Sequence, residues 1–249
     1  MKKFLTISSC AIALIAANQN TALAAPPETT ITGQGTVRDS DALDEGVLFS
    51  ITYVHKSLNG LPVSTLIQQQ DLSGNVLVKE ESEYDSAGRF RSYSMQQFQT
   101  GDRAHVEAKS GEVHMSFIQD GKTSRAREKL TDDTVAPGAL MAYMSPYTSL
   151  FEKGQKIPVK LAVAERGMVL GFEIAGQGKN CRDSKGDLCV NVSLSNFVLK
   201  KLVKPIFMSF QKSPEGYRPL AVETPAIVRK QKGSRLEKFT ARIDYQKIR

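Results

Sequence analysis

No stretch of this 249-residue chain approaches the roughly 20 consecutive apolar residues of a bilayer-crossing helix, so the sequence predicts no transmembrane segment. Histidine and cysteine are scarce, with three of each. There is no G-x-S-x-G elbow, no H-E-x-x-H helix and no phosphate-cradling glycine loop between a strand and a helix. Those absences remove the usual sequence grounds for a hydrolase, a zinc protease or a nucleotide enzyme. The reading is therefore non-enzymatic, with no catalytic residue and no cofactor, and with no nucleic acid among the expected partners.

What is present begins at the first residues. Lys2 and Lys3 precede an apolar run from Phe4 to Ala17, and Ala22-Leu23-Ala24 supplies a small-x-small cleavage site. A signal peptide over 1–24 is predicted, with the mature chain starting near Ala25 in the periplasm or outside the cell. Ile7-Ser8-Ser9-Cys10 has the residue types of a lipoprotein box, but Cys10 precedes the apolar run Ala11 to Ala17 and would leave it on the mature chain. Cleavage leaves Cys181 and Cys189, on either side of a polar, glycine-containing segment. In an oxidising compartment they predict a disulfide stapling a hairpin, worth about 2 to 3 kcal/mol by loop entropy. The pair lacks the C-x-x-C spacing of redox-active thiols.

Charge is uneven. The chain carries a net +7, and residues 196–249 hold thirteen Lys and Arg against four Asp and Glu. Such a field attracts anionic surfaces or an acidic envelope protein, with Lys200, Lys201 and Lys204 as the residues to test. Lysines along the wet face of a twisted sheet give the same count.

Residues 25–45, rich in Pro, Thr, Gly and Asp, read as a flexible lead-in, and residues 46–249 as one β-rich domain. From Val47 onward, alternating runs are punctuated by glycine-containing turns at short intervals, which is a β-meander pattern. Val47, Phe49, Ile51 and Tyr53 share one strand face, with Ser50 and Thr52 on the other. A two-residue turn at Ser110-Gly111 pairs Ala108 with Val113 and Val106 with Met115.

The period changes over 132–153. Asp132, Asp133 and Thr134 offer N-cap chemistry, Pro137 suits an opening turn, and Leu140, Tyr143, Met144, Tyr147, Leu150 and Phe151 recur at helical spacing. Pro146 predicts a kink or two short helices. Strands then resume over Ile157–Ala164, Met168–Ile174, Leu188–Lys200, Ile206–Gln211, Pro219–Arg229 and Leu236–Tyr245. The expected fold is mainly β, a curved antiparallel sheet or open half-barrel with one helical insert on the concave face.

Three clusters invite a chemical reading. The hairpin register sets Glu107 opposite His114 with His105 diagonal to it, a trio of metal-ligand types on a wet, flat face without supporting groups, and no metal site is assigned to it. Glu80, Glu81, Glu83 and Asp85 alternate across a strand and read as solvated charge. The apolar stripe of the insert is either plain core or a movable plug over the sheet. In the second case Phe49, Ile51, Tyr53, Leu140, Tyr143, Met144 and Tyr147 line a site for a lipid or other apolar small molecule.

The order of parts, with the Val135-Ala136-Pro137-Gly138-Ala139-Leu140 helix start, the Leu150-Phe151-Glu152-Lys153-Gly154-Gln155 turn and the closing Arg242-Ile243-Asp244-Tyr245 strand, resembles uncharacterised bacterial periplasmic domain-of-unknown-function families (DUF3108-like). These resemble in turn the open half-barrel of the lipoprotein carrier proteins. The resemblance implies a curved antiparallel sheet around a helical plug over nearly the whole mature chain, and it carries over no catalytic residues.

Overall fold

The computed structural model describes residues 29–178, 181, 186–196, 204–213 and 216–246. The expected leader over 1–24, Lys200 and Lys201 lie outside them. Before the insert run β1 (Thr29–Asp39), β2 (Phe49–Leu58), β3 (Leu61–Gln70), β4 (Val76–Tyr84), β5 (Phe90–Gln97), β6 (Arg103–Lys109), β7 (Glu112–Gln119) and β8 (Lys122–Lys129). The insert follows the short β9 (Thr134–Val135) and contains α1 (Leu140–Met144) and α2 (Thr148–Glu152). After it come β10 (Lys156–Val163), β11 (Met168–Gly176), β12 (Leu188–Leu194), β13 (Ile206–Ser213), β14 (Gly216–Pro225), β15 (Lys230–Lys232), β16 (Arg235–Glu237) and β17 (Thr240–Gln246).

Fifteen of these strands form a single curved sheet in the order β8-β7-β6-β5-β4-β3-β2-β1-β17-β14-β13-β12-β11-β10-β9. Every pairing is antiparallel except β9 with β10. The sheet is not closed: its end strands, β8 and β9, do not pair with each other. Its two flanks nevertheless approach, because β8 touches β11 and the turn Ala164–Arg166 touches β6 and β7. The predicted fold class is the one observed, with the concave side occupied by the insert. The hairpin register is also as read, Ala108 facing Val113, Val106 facing Met115 and Glu107 facing His114.

Within the expected lead-in over 25–45, Thr29–Asp39 is instead part of the fold. It forms β1, which lies in the interior of the sheet and pairs with β2 on one side and β17 on the other. Its alternation is carried by Gly35 and Val37, and glycine reads as a breaker in sequence. Here glycine is required. A Cβ on Gly35 would stand 2.8 Å from the Ile51 Cγ2 and 3.0 Å from the Asp244 carbonyl oxygen, closer than packed atoms sit.

Two other boundaries differ. Thr134 pairs in parallel with Lys160 of β10 rather than capping a helix, and neither α1 nor α2 has a side-chain cap. The insert opens instead on the 3-10 turn Pro137–Ala139, and Pro146 sits in the 3-10 turn Ser145–Tyr147 that separates α1 from α2, as its missing amide requires. The run expected as one strand over Leu236–Tyr245 is split, since Arg235–Glu237 turns back on Lys230–Lys232 around Gly233, whose φ is +58°.

The segment 226–239 between β14 and β17 dips inward. Val228 is fully buried and the Phe239 ring lies 6.3 Å from that of Phe49. A knot of amides holds it. The buried Gln97 Oε1 accepts from the Gln99 amide at 2.6 Å, while Gln99 donates to the Arg229 carbonyl at 2.9 Å and accepts from the Arg229 amide at 2.8 Å. Segments 130 residues apart in sequence are thereby tied together.

A cavity beneath the helical insert

Close backbone approach positions the insert. At its C-terminal half, α2 lies directly on the end of β11: a Cβ on Gly176 would stand 2.2 Å from the Phe151 carbonyl oxygen. Read from sequence, Gly176-Gln177-Gly178 is only a turn; in the structure Gly176 is the seat of a helix. At the other end, Gly138 presses on β4 and β5, where a Cβ would stand 2.8 Å from the Tyr93 ring and 2.9 Å from a carboxyl oxygen of Glu80. The Tyr84 hydroxyl donates to the Ala139 carbonyl at 3.3 Å, and the Tyr143 hydroxyl to the Pro158 carbonyl at 3.2 Å. Leu140, Ala142, Met144 and Phe151 are all at most 3 % exposed. Burying such a side chain contributes about 1.5 to 3 kcal/mol for all but the alanine.

Between the insert and the sheet remains a cavity of about 480 Å³. Met141, Ala142, Met144 and Phe151 form its roof, together with Ser145 and Thr148. Tyr53, His55 and Ser57 of β2 bound one side, while Leu188 and Val190 of β12, Phe210 of β13 and Pro219 of β14 bound the other. The lining is thus mostly apolar, with few polar groups, and the volume lies within the roughly 300 to 1,000 Å³ of small-molecule pockets. Tyr217, also in the lining, donates a short hydrogen bond to Glu152 of α2, joining β14 to the insert. That bond, more than burial, pushes the Tyr217 hydroxyl up to about 12.

Two buried polar groups stand out, His55 in this lining and Glu80 beneath Gly138. His55 lies near-parallel to Tyr53, its Nδ1 sealed from solvent without a hydrogen-bond partner among the described residues, and burial lowers its pKa. A neutral imidazole is the form that tolerates such a setting. Glu80, 5 % exposed, accepts a hydrogen bond from the Tyr93 hydroxyl at 2.8 Å. Burial pushes its carboxyl up to about 7, against the opposing pull of that bond.

Of the residues expected to line a ligand site, Tyr53 and Met144 border this cavity. Phe49 and Ile51 share Tyr53's face but are packed elsewhere, against Phe239 and under Gly35 respectively. Leu140 is core at 3 % exposure. Tyr143 and Tyr147 form a tilted ring pair 5.4 Å apart, and Tyr143 faces β10. The second wall, from β12 to β14, was missed because no sequence periodicity says which distant strands face a given helix.

Cys181 and Cys189 are disulfide-bonded, with Cα atoms 5.3 Å apart. Among the described residues no three His, Cys, Asp or Glu side chains gather at metal-binding distance. His105 instead faces Ser116, while His114 pairs with Glu112 at 3.2 Å. Lys204 lies 3.5 Å from Asp41. Among the described residues no helix is long and apolar enough to cross a membrane. Compared with known proteins, the chain matches no family model, no curated protein and no solved structure.

Proposed function

We propose that the protein is a non-enzymatic component of the cell envelope that shelters a lipid or other apolar small molecule beneath its helical insert. The cavity of about 480 Å³ carries this reading: it is roofed by methionine, alanine and phenylalanine and walled by strands from both halves of the sheet. A packed core does not keep such a space, since interiors fill to crystal-like density. Methionines on the roof suit a ligand of variable shape, because their unbranched side chains re-pack at little cost. The disulfide is compatible with an exported protein, which the expected leader also favours.

Native mass spectrometry of the purified protein is expected to show a co-purified lipid, and the delipidated protein is expected to bind a fluorescent fatty acid. Ala142→Leu, which adds volume to the roof, should weaken that binding about tenfold or more without altering the circular dichroism spectrum. Absence of both a native lipid and fatty-acid binding would overturn the proposal.

A further inference from the structure

The outer face of β6, β7 and β8, on the opposite side of the sheet from the insert, has a depression of its own. It measures about 420 Å³ and is lined by His105, His114, Ser116, Arg125 and Arg127 together with Met115 and Ala126. Register explains the gathering. His105, Ser116 and Arg125 stand abreast in one cross-strand row, and Glu107, His114 and Arg127 in the next. Arg125 and Arg127, two residues apart on one strand, therefore project to the same side about 7 Å apart. Arg89 is engaged by Asp85 at 2.7 Å and Arg242 by Asp244 at 2.9 Å. Arg125 and Arg127 have no ion-pair partner among the described residues, although Glu112 stands one row away, already bonded to His114.

We propose that this depression is a phosphate-binding site, with the two guanidinium groups gripping the phosphate oxygens and Ser116 and the His105 imidazole completing the donor set. Paired guanidinium forks match a phosphate in a way that point-charge ammonium groups do not. Positive charge on β8 also blunts the exposed end of the sheet against pairing with another chain. That duty needs only charge on the edge strand itself, and lysine serves it equally. It does not account for His105 and Ser116, which lie on the strands behind, or for a hollow between them.

Two sources present this chemistry, a soluble phosphate ester and the headgroup of an anionic phospholipid. Calorimetric titration of the intact protein with glycerol 3-phosphate tests the first. Flotation with phosphatidylcholine vesicles, with and without phosphatidylglycerol, tests the second. The site predicts binding in at least one arm, competition by inorganic phosphate, and loss of about tenfold or more in affinity for Arg125→Lys/Arg127→Lys, whose net charge is unchanged. Binding of glycerol 3-phosphate alone assigns the site to a soluble ester; phosphatidylglycerol-dependent flotation alone assigns it to a membrane headgroup. Undiminished binding by the lysine variant, with its thermal melt unchanged, would reduce the patch to general positive charge and overturn the proposal. So would the absence of wild-type binding in both arms. Neither result bears on the fatty-acid assay, which reads the opposite face of the sheet.

Discussion

Glu80 shows how one side chain couples the insert to solution conditions. Its folded-state pKa is raised from 4.5 to about 7, so over that range the folded protein keeps a proton that the unfolded chain has released. The associated stability is complete below pH 4.5 and is lost as pH rises through about 7, a change of about 3 kcal/mol. Glu80→Gln keeps an acceptor for the Tyr93 hydroxyl and removes the charge. Urea unfolding at pH 5 and pH 8 should show the wild type losing stability at the higher pH and the variant losing markedly less. Equal losses in the two proteins would place the pH dependence elsewhere. The sequence shows the alternation of Glu80, Glu81 and Glu83 but not which phase faces inward. Val78, Ser82 and Tyr84 share the inner phase with Glu80, and only the arrival of Gly138 and Tyr93 makes a buried carboxyl tenable there.

At the scale of elements, short helices of five residues do not hold themselves together. The insert persists because it is seated on glycines and hooked by tyrosines. Gly176→Ala would force backbone against backbone at Phe151, so a loss of more than about 3 kcal/mol is expected in thermal or denaturant unfolding. A loss below about 1 kcal/mol would mean that α2 shifts freely on β11. Tyr217→Phe removes the bond to Glu152 at the cavity's edge, where both groups are exposed. Its expected signature is faster release of a bound fatty acid in stopped-flow displacement with the melting temperature nearly unchanged; an unaltered release rate would show that this contact does not restrain the insert. Hairpins and the helical stripe were legible because their causes are local: turn glycines, strand alternation and the proline at 146. The role of β1 was not legible. Its glycine and threonine pattern acquires meaning only against Ile51 and Asp244, the second of which lies more than two hundred residues along the chain.

For the molecule as a whole, mainly β content, curvature and the concave placement of the insert were readable from the order of patterns. Which strands meet across the middle was not, because pairing partners distant in sequence leave no mark on local periodicity. The same limit hid half of the cavity wall. It also left the phosphate site half seen: the sequence placed His114 beside Glu107, whereas Arg125 and Arg127 joined them only once β8 was paired to β7.

The pairing of β1 with β17 joins the first described strand to the last. Everything between β2 and β8 assembles from neighbouring hairpins, yet the join between the two halves must wait until the final strand has been made. Late closure of this kind slows folding, since contacts of long sequence separation form at a high entropic cost. Removing residues 240–246 should leave β1 and β14 as bare edges, and the truncated product is expected to aggregate on refolding by light scattering while the intact protein stays clear.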